Sequence, residues 1–423
     1  MVHGPRSLSA LLALAVGLAM SPMTGATEYF VATNGLDDGS NNGLGWDQPL
    51  LTISNAVAKG DVTIVTVSNG TYNISTQINV TAAITVRSFG NGVYGGLANA
   101  ANTTINAGSV DGRRVMYVDH AGAVIDGLTM TGGQRQDGAG AQLIAGTVQN
   151  CRITGNNLGS NAGKQGALYV AAGGLASNCH VVANTANNQF FGIGIYISGG
   201  TVRRSNISNN SANSETYAQG GIGIYSGSAA SLIDSCVITN NRVLSFGDTG
   251  YGGGAGVSLR DGGTVRNSLI AGNVSKKEGG GVYGTHPASI VENCTIVGNA
   301  STNNAGGVFG CMVTNSIVYF NTSTNVAQNW SGGSMAYSCT TPTNGLTGPG
   351  NISDAPLFAD ESAGDYRLRS RFPLSPCIDK GTNQAWMVGA NDLAGMDRIL
   401  KQIVDMGCYE TYVAPEGTVL TVQ

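Results

Sequence analysis

VQNCRITGN (148–156), ASNCHVVAN (176–184), VRRSNISNN (202–210), IDSCVITNN (233–241), VRNSLIAGN (265–273), VENCTIVGN (291–299) and VTNSIVYFN (313–321) align without internal gaps on their final asparagine. The spacing runs from 22 residues (Asn299 to Asn321) to 32 (Asn241 to Asn273), the range that marks stacked structural repeats. Eight positions before the asparagine stands an apolar residue: Val148, Ala176, Val202, Ile233, Val265, Val291 and Val313. Five before it the residue is small: Cys151, Cys179, Ser205, Cys236, Ser268, Cys294 and Ser316. Three before it the residue is β-branched: Ile153, Val181, Ile207, Ile238, Ile270, Ile296 and Val318. A spacing of two puts the last two columns on one face of a strand, and the spacing of three above them calls for a bend between two short strands. The closing asparagine suits a turn position in the left-handed region, and stacked coils would set these asparagines in a ladder.

After each asparagine comes a polar loop of variable length and then a strand led by glycine: GALYV from Gly166, GIGIY from Gly192 and again from Gly221, GAGVSL from Gly254, GGVYG from Gly280 and GGVFG from Gly306. No such coil can bury its apolar face alone, but coils stacked at about 4.8 Å make a continuous core. The expected fold is all-β, a single-stranded right-handed parallel β-helix with an N-terminal capping helix and an irregular C-terminal cap. Helical alternatives fail because no window keeps a 3.6-residue period and 64 glycines are too many for helices. Charged residues make up only 11% of the 423-residue chain and hydrophobic ones 42%, which argues against disorder. A formal net charge of −4 offers no basic field for nucleic acid or for an anionic membrane.

The repeats resemble those of the pectin-lyase-like β-helix superfamily and of polymorphic outer-membrane proteins. YFVATNGLDDGSNNGLGWDQPLLTISNAV from Tyr29 resembles the opening segment of secreted bacterial β-helix proteins, which implies a capping helix at Thr52 to Ala58. DAPLFAD from Asp354, GDYRLRSRFPLSPCIDKG from Gly364, DLAGMDRI from Asp392 and VDMGCYE from Val404 resemble the terminal region of choice-of-anchor Q proteins. His3 and Arg6, the apolar run Leu8 to Met20 and the small residues Thr24-Gly25-Ala26 read as a secretory signal. The resulting division is a signal peptide at 1–26, a cap and first coils at 27–125, regular coils at 126–321 and a C-terminal capping region at 322–423. A secreted or cell-surface location follows, bacterial and extracellular or outer-membrane associated, without a transmembrane segment in the mature chain.

Eight cysteines in an exported chain invite disulfides. Cys151, Cys179, Cys236 and Cys294 share the small inward column and exchange with serine, so they read as buried thiols, although adjacent coils would let Cys151 and Cys179 pair. Cys377 and Cys408 each lie in a tail motif of the resembling family, and a bridge between them is expected on that ground. Four scattered histidines and the lack of a C-x-x-C pair speak against a metal site.

Tyr169, Tyr196, Tyr225, Tyr283 and Phe309 each follow an inward apolar residue, so alternation turns their rings outward as an exposed strip suited to glycan. The competing reading is rings that stack on one another for stability. The variable loops beside the strip carry Lys164, Glu215, Asp248, Lys276 and Lys277. In the resembling polysaccharide lyases a Lys or Arg removes the proton next to a uronate carboxylate, aided by Ca²⁺, which makes Lys164, Lys276 or Lys277 the candidate base. No clustered aspartates stand ready for Ca²⁺, and Glu215 with Asp248 is the nominal carboxylate pair of a hydrolase. Asp37-Asp38-Gly39, Asp392 and Asp397 read as turn formers. Three functions stay open: a non-catalytic protein binding a polysaccharide or cell-surface glycan, a polysaccharide lyase or glycoside hydrolase, and a structural spacer or adhesin stalk.

Overall fold

The computed structural model describes residues 26–159, 166–186, 191–213, 220–245, 253–325 and 328–414. They wind into a right-handed parallel β-helix whose strands stack coil upon coil into sheets of twenty, eleven and six strands. The β-branched column of the repeats runs down the eleven-stranded second sheet in direct register, from Tyr72 through Ile105, Met130 and Ile153 to Val318 and Thr340. The apolar column runs down the larger first sheet, from Tyr29 through Val65, Val86, Ile125 and Val148 to Val313 and Met335. Coils therefore form on both sides of the regular repeats, at Val62–Ser68 and Thr85–Gly90 before them and at Ser334–Ala336 and Cys339–Thr340 after them. Burying one Ile or Val side chain contributes about 1.5–3 kcal/mol, so the two columns dominate the folding energy.

The asparagine ladder forms, with one correction to its backbone. The left-handed residue is the one before each ladder asparagine: Gly155, Ala183, Asn209, Asn240, Gly272, Gly298 and Phe320. Turning one residue early leaves the asparagine side chain pointing into the core, where it joins three coils. Asn241 Nδ2 donates to Asn273 Oδ1 at 3.0 Å and to Ile207 O at 2.9 Å, while its Oδ1 accepts from Asn210 N at 3.1 Å. The ladder also explains the second glycine of the Gly-x-Gly strands. A Cβ at Gly194, Gly223 or Gly256 would stand 3.0 Å from the Nδ2 of Asn210, Asn241 or Asn273, and 2.5 Å from a carbonyl of the next coil.

In the small column, serine and cysteine exchange for a physical reason. Ser205, Ser268 and Ser316 hydroxyls accept the backbone N–H of the cysteine one coil earlier, at 3.0, 3.0 and 3.1 Å. Neither expected cysteine pairing is made. All eight cysteines are free and buried, Cys151 and Cys179 among them. Cys408 is tied through its N–H to Thr295 Oγ1 at 3.1 Å, and the Cys377 thiol instead faces Cys339, so Cys377 and Cys408 are not bridged. Burial pushes the thiols of Cys179, Cys236 and Cys408 up to about 12, so they stay protonated and unreactive at neutral pH. A thiol reagent is expected to label none of the eight in the native protein and all eight in denaturant. Fewer than eight in the unfolded chain would reveal a bridge.

At the N-terminal end a helix, Ile53–Val57, starts where the opening segment implied it, with Thr52 Oγ1 accepting the Asn55 N–H. Asp37 accepts the Leu51 and Thr52 N–H groups and Asp38 that of Ser40, which is turn chemistry. The C-terminal region does more than close the last coil: it folds back along the outer face of the second sheet. Gly407 N donates to Asn315 O at 2.7 Å, Arg398 Nη1 to Asn267 Oδ1 at 3.0 Å, and the Arg266 guanidinium sits 4.5 Å from the Trp386 ring centre. At the centre of this contact Arg398 and Glu410 form a buried ion pair at 2.6 Å. Among the described residues no helix is long and apolar enough to cross a membrane.

Candidate functional site

One column lines the outside of the Gly-led strands, in register coil by coil: Tyr117, Gln142, Tyr169, Tyr196, Tyr225, Ser258, Tyr283 and Phe309. Tyr117 was missed in the sequence because its coil lacks the Gly-led repeat; the only signal was apolar alternation around Met116-Tyr117-Val118. The exposed strip expected of this column is corrected by the structure. Tyr169, Tyr196 and Tyr225 are 8%, 6% and 2% exposed, while Tyr283 and Phe309 are half-buried. The rings lie flat on one another, with Tyr169–Tyr196, Tyr196–Tyr225 and Tyr283–Phe309 centroids all 5.4 Å apart. Their faces are spent on each other, and Phe191 closes edge-on over Tyr225 at 5.0 Å. Burial pushes the Tyr196 hydroxyl up to about 12, and Tyr225 Oη donates to Asp261 Oδ2 at 2.9 Å. Ring stacking, the competing reading, is what this column does.

The stack opens at its N-terminal end, where Gln142 interrupts the tyrosines, and there a polar cleft of about 350 Å³ lies among Asp111, Arg114, Arg135, Asp137 and Gln142. Three successive coils build it: Asp111 ends Thr103–Asp111 and Arg114 precedes Met116–Asp126, Arg135 and Gln142 lie one coil on, after Thr129–Gln134 and at the start of Ala141–Gln149, and Leu158 and Gly159 come from the coil after that. Arg114 is 4% exposed. It is tethered on three sides: Nε to Gly138 O at 3.0 Å, Nη2 to Gln136 O at 3.2 Å and Nη1 to Gln77 Oε1 at 3.3 Å. Arg135, exposed on the rim, donates to the same Gln77 oxygen at 3.4 Å. Burial, and then the charge of Arg135, bring Arg114 down to about 10, so it remains a cation at neutral pH. A fixed guanidinium with a second one on the rim is a fork for an oxyanion, and a carboxylate fits it bidentately.

The loop residues singled out in the sequence do not meet here. Lys164, Glu215 and Asp248 lie outside the described residues. Lys276 and Lys277 are half-buried in a turn held by Lys277 N to Ser275 Oγ at 3.1 Å. That turn lies six coil rises, about 29 Å, from Arg114. The cleft escaped the sequence reading because its arginines come from an irregular early coil, and proximity across coils is invisible without register. Asp392 turns out to be saturated, accepting the N–H groups of Ala394, Met396 and Glu410. Among the described residues no group of three or more His, Cys, Asp or Glu side chains could hold a metal ion.

Fold and register define a single-stranded parallel β-helix. Among solved structures the chain is similar to the pectate lyase Pel9A, at 17% identity and a TM-score of 0.52 over 92% of this chain and 98% of that one. A rhamnogalacturonan lyase aligns with a TM-score of 0.37 at 14% identity, covering 88% of this chain and 99% of that one. No family model and no curated protein matches the sequence.

Proposed function

We propose that this chain is an exported β-helix that binds an acidic polysaccharide, with a sugar carboxylate seated between Arg114 and Arg135. The observation that carries this reading is the buried, three-way tethered Arg114 joined to Arg135 through Gln77. Gln142 supplies polar contact beside the fork, and Asp111 and Asp137 can accept sugar hydroxyls. The secretory signal in 1–26 and the tail that resembles choice-of-anchor Q proteins support a place outside the cell, where such polymers are met. A second reading, eliminative cleavage of the polymer in the same cleft, is compatible with the fold shared with a pectate lyase.

The test is retention of the full mature chain on polygalacturonate against a neutral glucan, together with absorbance of unsaturated product with and without Ca²⁺. Arg135→Ala removes an exposed side chain and leaves the fold intact. It is expected to weaken retention on polygalacturonate about tenfold or more, the scale of one charge-assisted hydrogen bond. Equal retention on both polymers, or none on either, would overturn the proposal; product formation would move it to the lyase reading.

A further inference from the structure

The second sheet carries another cleft, of about 510 Å³, where the folded-back tail stops short of covering the coils. Its floor is His180, Arg204 and Asn206, and its far wall is Asp392 to Gly395 with Tyr409. Its volume lies in the range that small-ligand sites occupy.

Arg204 breaks the pattern of its column. The bend between the two short strands needs a left-handed residue, and the equivalent positions hold Asn150, Asn178, Ser235, Asn267, Asn293 and Asn315, with φ between 46° and 55°. Arginine takes this conformation less readily than asparagine, yet Arg204 holds φ 49°. Among the described residues no carboxylate pairs with its guanidinium, and Asp392, the acidic group on the facing wall, already accepts three backbone N–H groups.

The remaining groups are equally unspent. Asn206 Oδ1 is buried without a hydrogen-bond partner. Burial, and then the charge of Arg152, lower the proton affinity of His180, so its imidazole is neutral at pH 7 and can donate or accept. Burial raises the Tyr409 hydroxyl, which keeps its proton. A cation without a paired carboxylate, an orphan acceptor, a neutral imidazole and a phenol around one space are complementary to a ligand with a single carboxylate and neighbouring hydroxyls.

We infer that this cleft is a second site, separate from the Arg114 cleft, that takes one acidic sugar residue with its carboxylate on Arg204 and a hydroxyl on Asn206 Oδ1. Because one wall is coil and the other is tail, an occupied site also fastens the tail to the helix.

The probe is free galacturonate, titrated into the full mature chain by calorimetry with galactose as the uncharged control. Arg204→Asn restores the residue that the neighbouring coils use and is compatible with folding. Millimolar galacturonate binding is expected in Arg135→Ala, where the first cleft is disabled, with at least a tenfold loss when Arg204→Asn is added, and with slower protease release of the tail when the sugar is present. The inference is overturned by no binding to Arg135→Ala, by binding unchanged when Arg204→Asn is added, or by equal binding of galactose. Binding to the wild-type chain but not to Arg135→Ala would assign the sugar to the first cleft and leave the proposed function standing.

Discussion

Asn241→Ala is expected to destabilise the protein by about 3–5 kcal/mol, because several buried groups lose partners at about 1–2 kcal/mol each. Asn210 would lose the acceptor for both its N–H and its Nδ2, and Ile207 O its donor. Asn241 is fully buried, with Gly223 packed against its amide. Urea unfolding checks this, with Asn325→Ala as the surface control. Among the described residues the Asn325 amide donates to Asn303 and Asn304 at the surface, and its loss is expected to cost under about 0.5 kcal/mol. Equal effects of the two substitutions would deny the ladder its role.

Arg398→Met is expected to cost about 3–5 kcal/mol and to free the tail to protease, because Glu410, Asn267 Oδ1 and the Asp405 and Gly407 carbonyls all lose their buried donor. Adding Glu410→Gln should recover only part of that loss, since the amide oxygen still accepts from Asp405 N while the Asn267, Asp405 and Gly407 oxygens stay without a donor. Burial outweighs the attraction of Arg398 and raises Glu410 to about 8, while burial takes Asp405 to about 7. Both values lie above those of an unfolded carboxyl, so the folded state holds extra protons. The stability they contribute is full below the ordinary carboxyl range near about 4, falls as the pH rises from there, and is gone once the pH passes about 7 to 8. A urea midpoint that falls between about pH 4 and 8 in the wild type, and falls less in Arg398→Met/Glu410→Gln, is the expected result. A flat wild-type profile would show that the pair is ionised throughout.

The coil was legible because its constraints are local and repeated. Val148 to Val313 and Ile153 to Val318 must each face inward, and a period-two pattern anchored on an asparagine leaves one register for them. The ladder was legible for the same reason, although which residue takes the left-handed turn depends on where the amide must reach, and Asn240 and Asn241 cannot be told apart by composition. The tyrosine column was placed on the correct face but given the wrong environment. Alternation says which way Tyr196 points; it does not say that Tyr169 and Tyr225 cover its two faces. The Arg114 cleft was not legible at all, because Gln77, Arg114 and Arg135 are brought together only by stacking of irregular early coils. The same holds for the tail, whose motifs are readable one by one while their docking along the second sheet is a long-range contact.

The most direct measurement is a crystal structure of the mature chain with a short oligogalacturonate. The account predicts a uronate carboxylate within hydrogen-bonding distance of both Arg114 and Arg135, with the next ring toward Gln142. An oligosaccharide seated elsewhere along the helix with the Arg114 cleft empty at saturating ligand would contradict it.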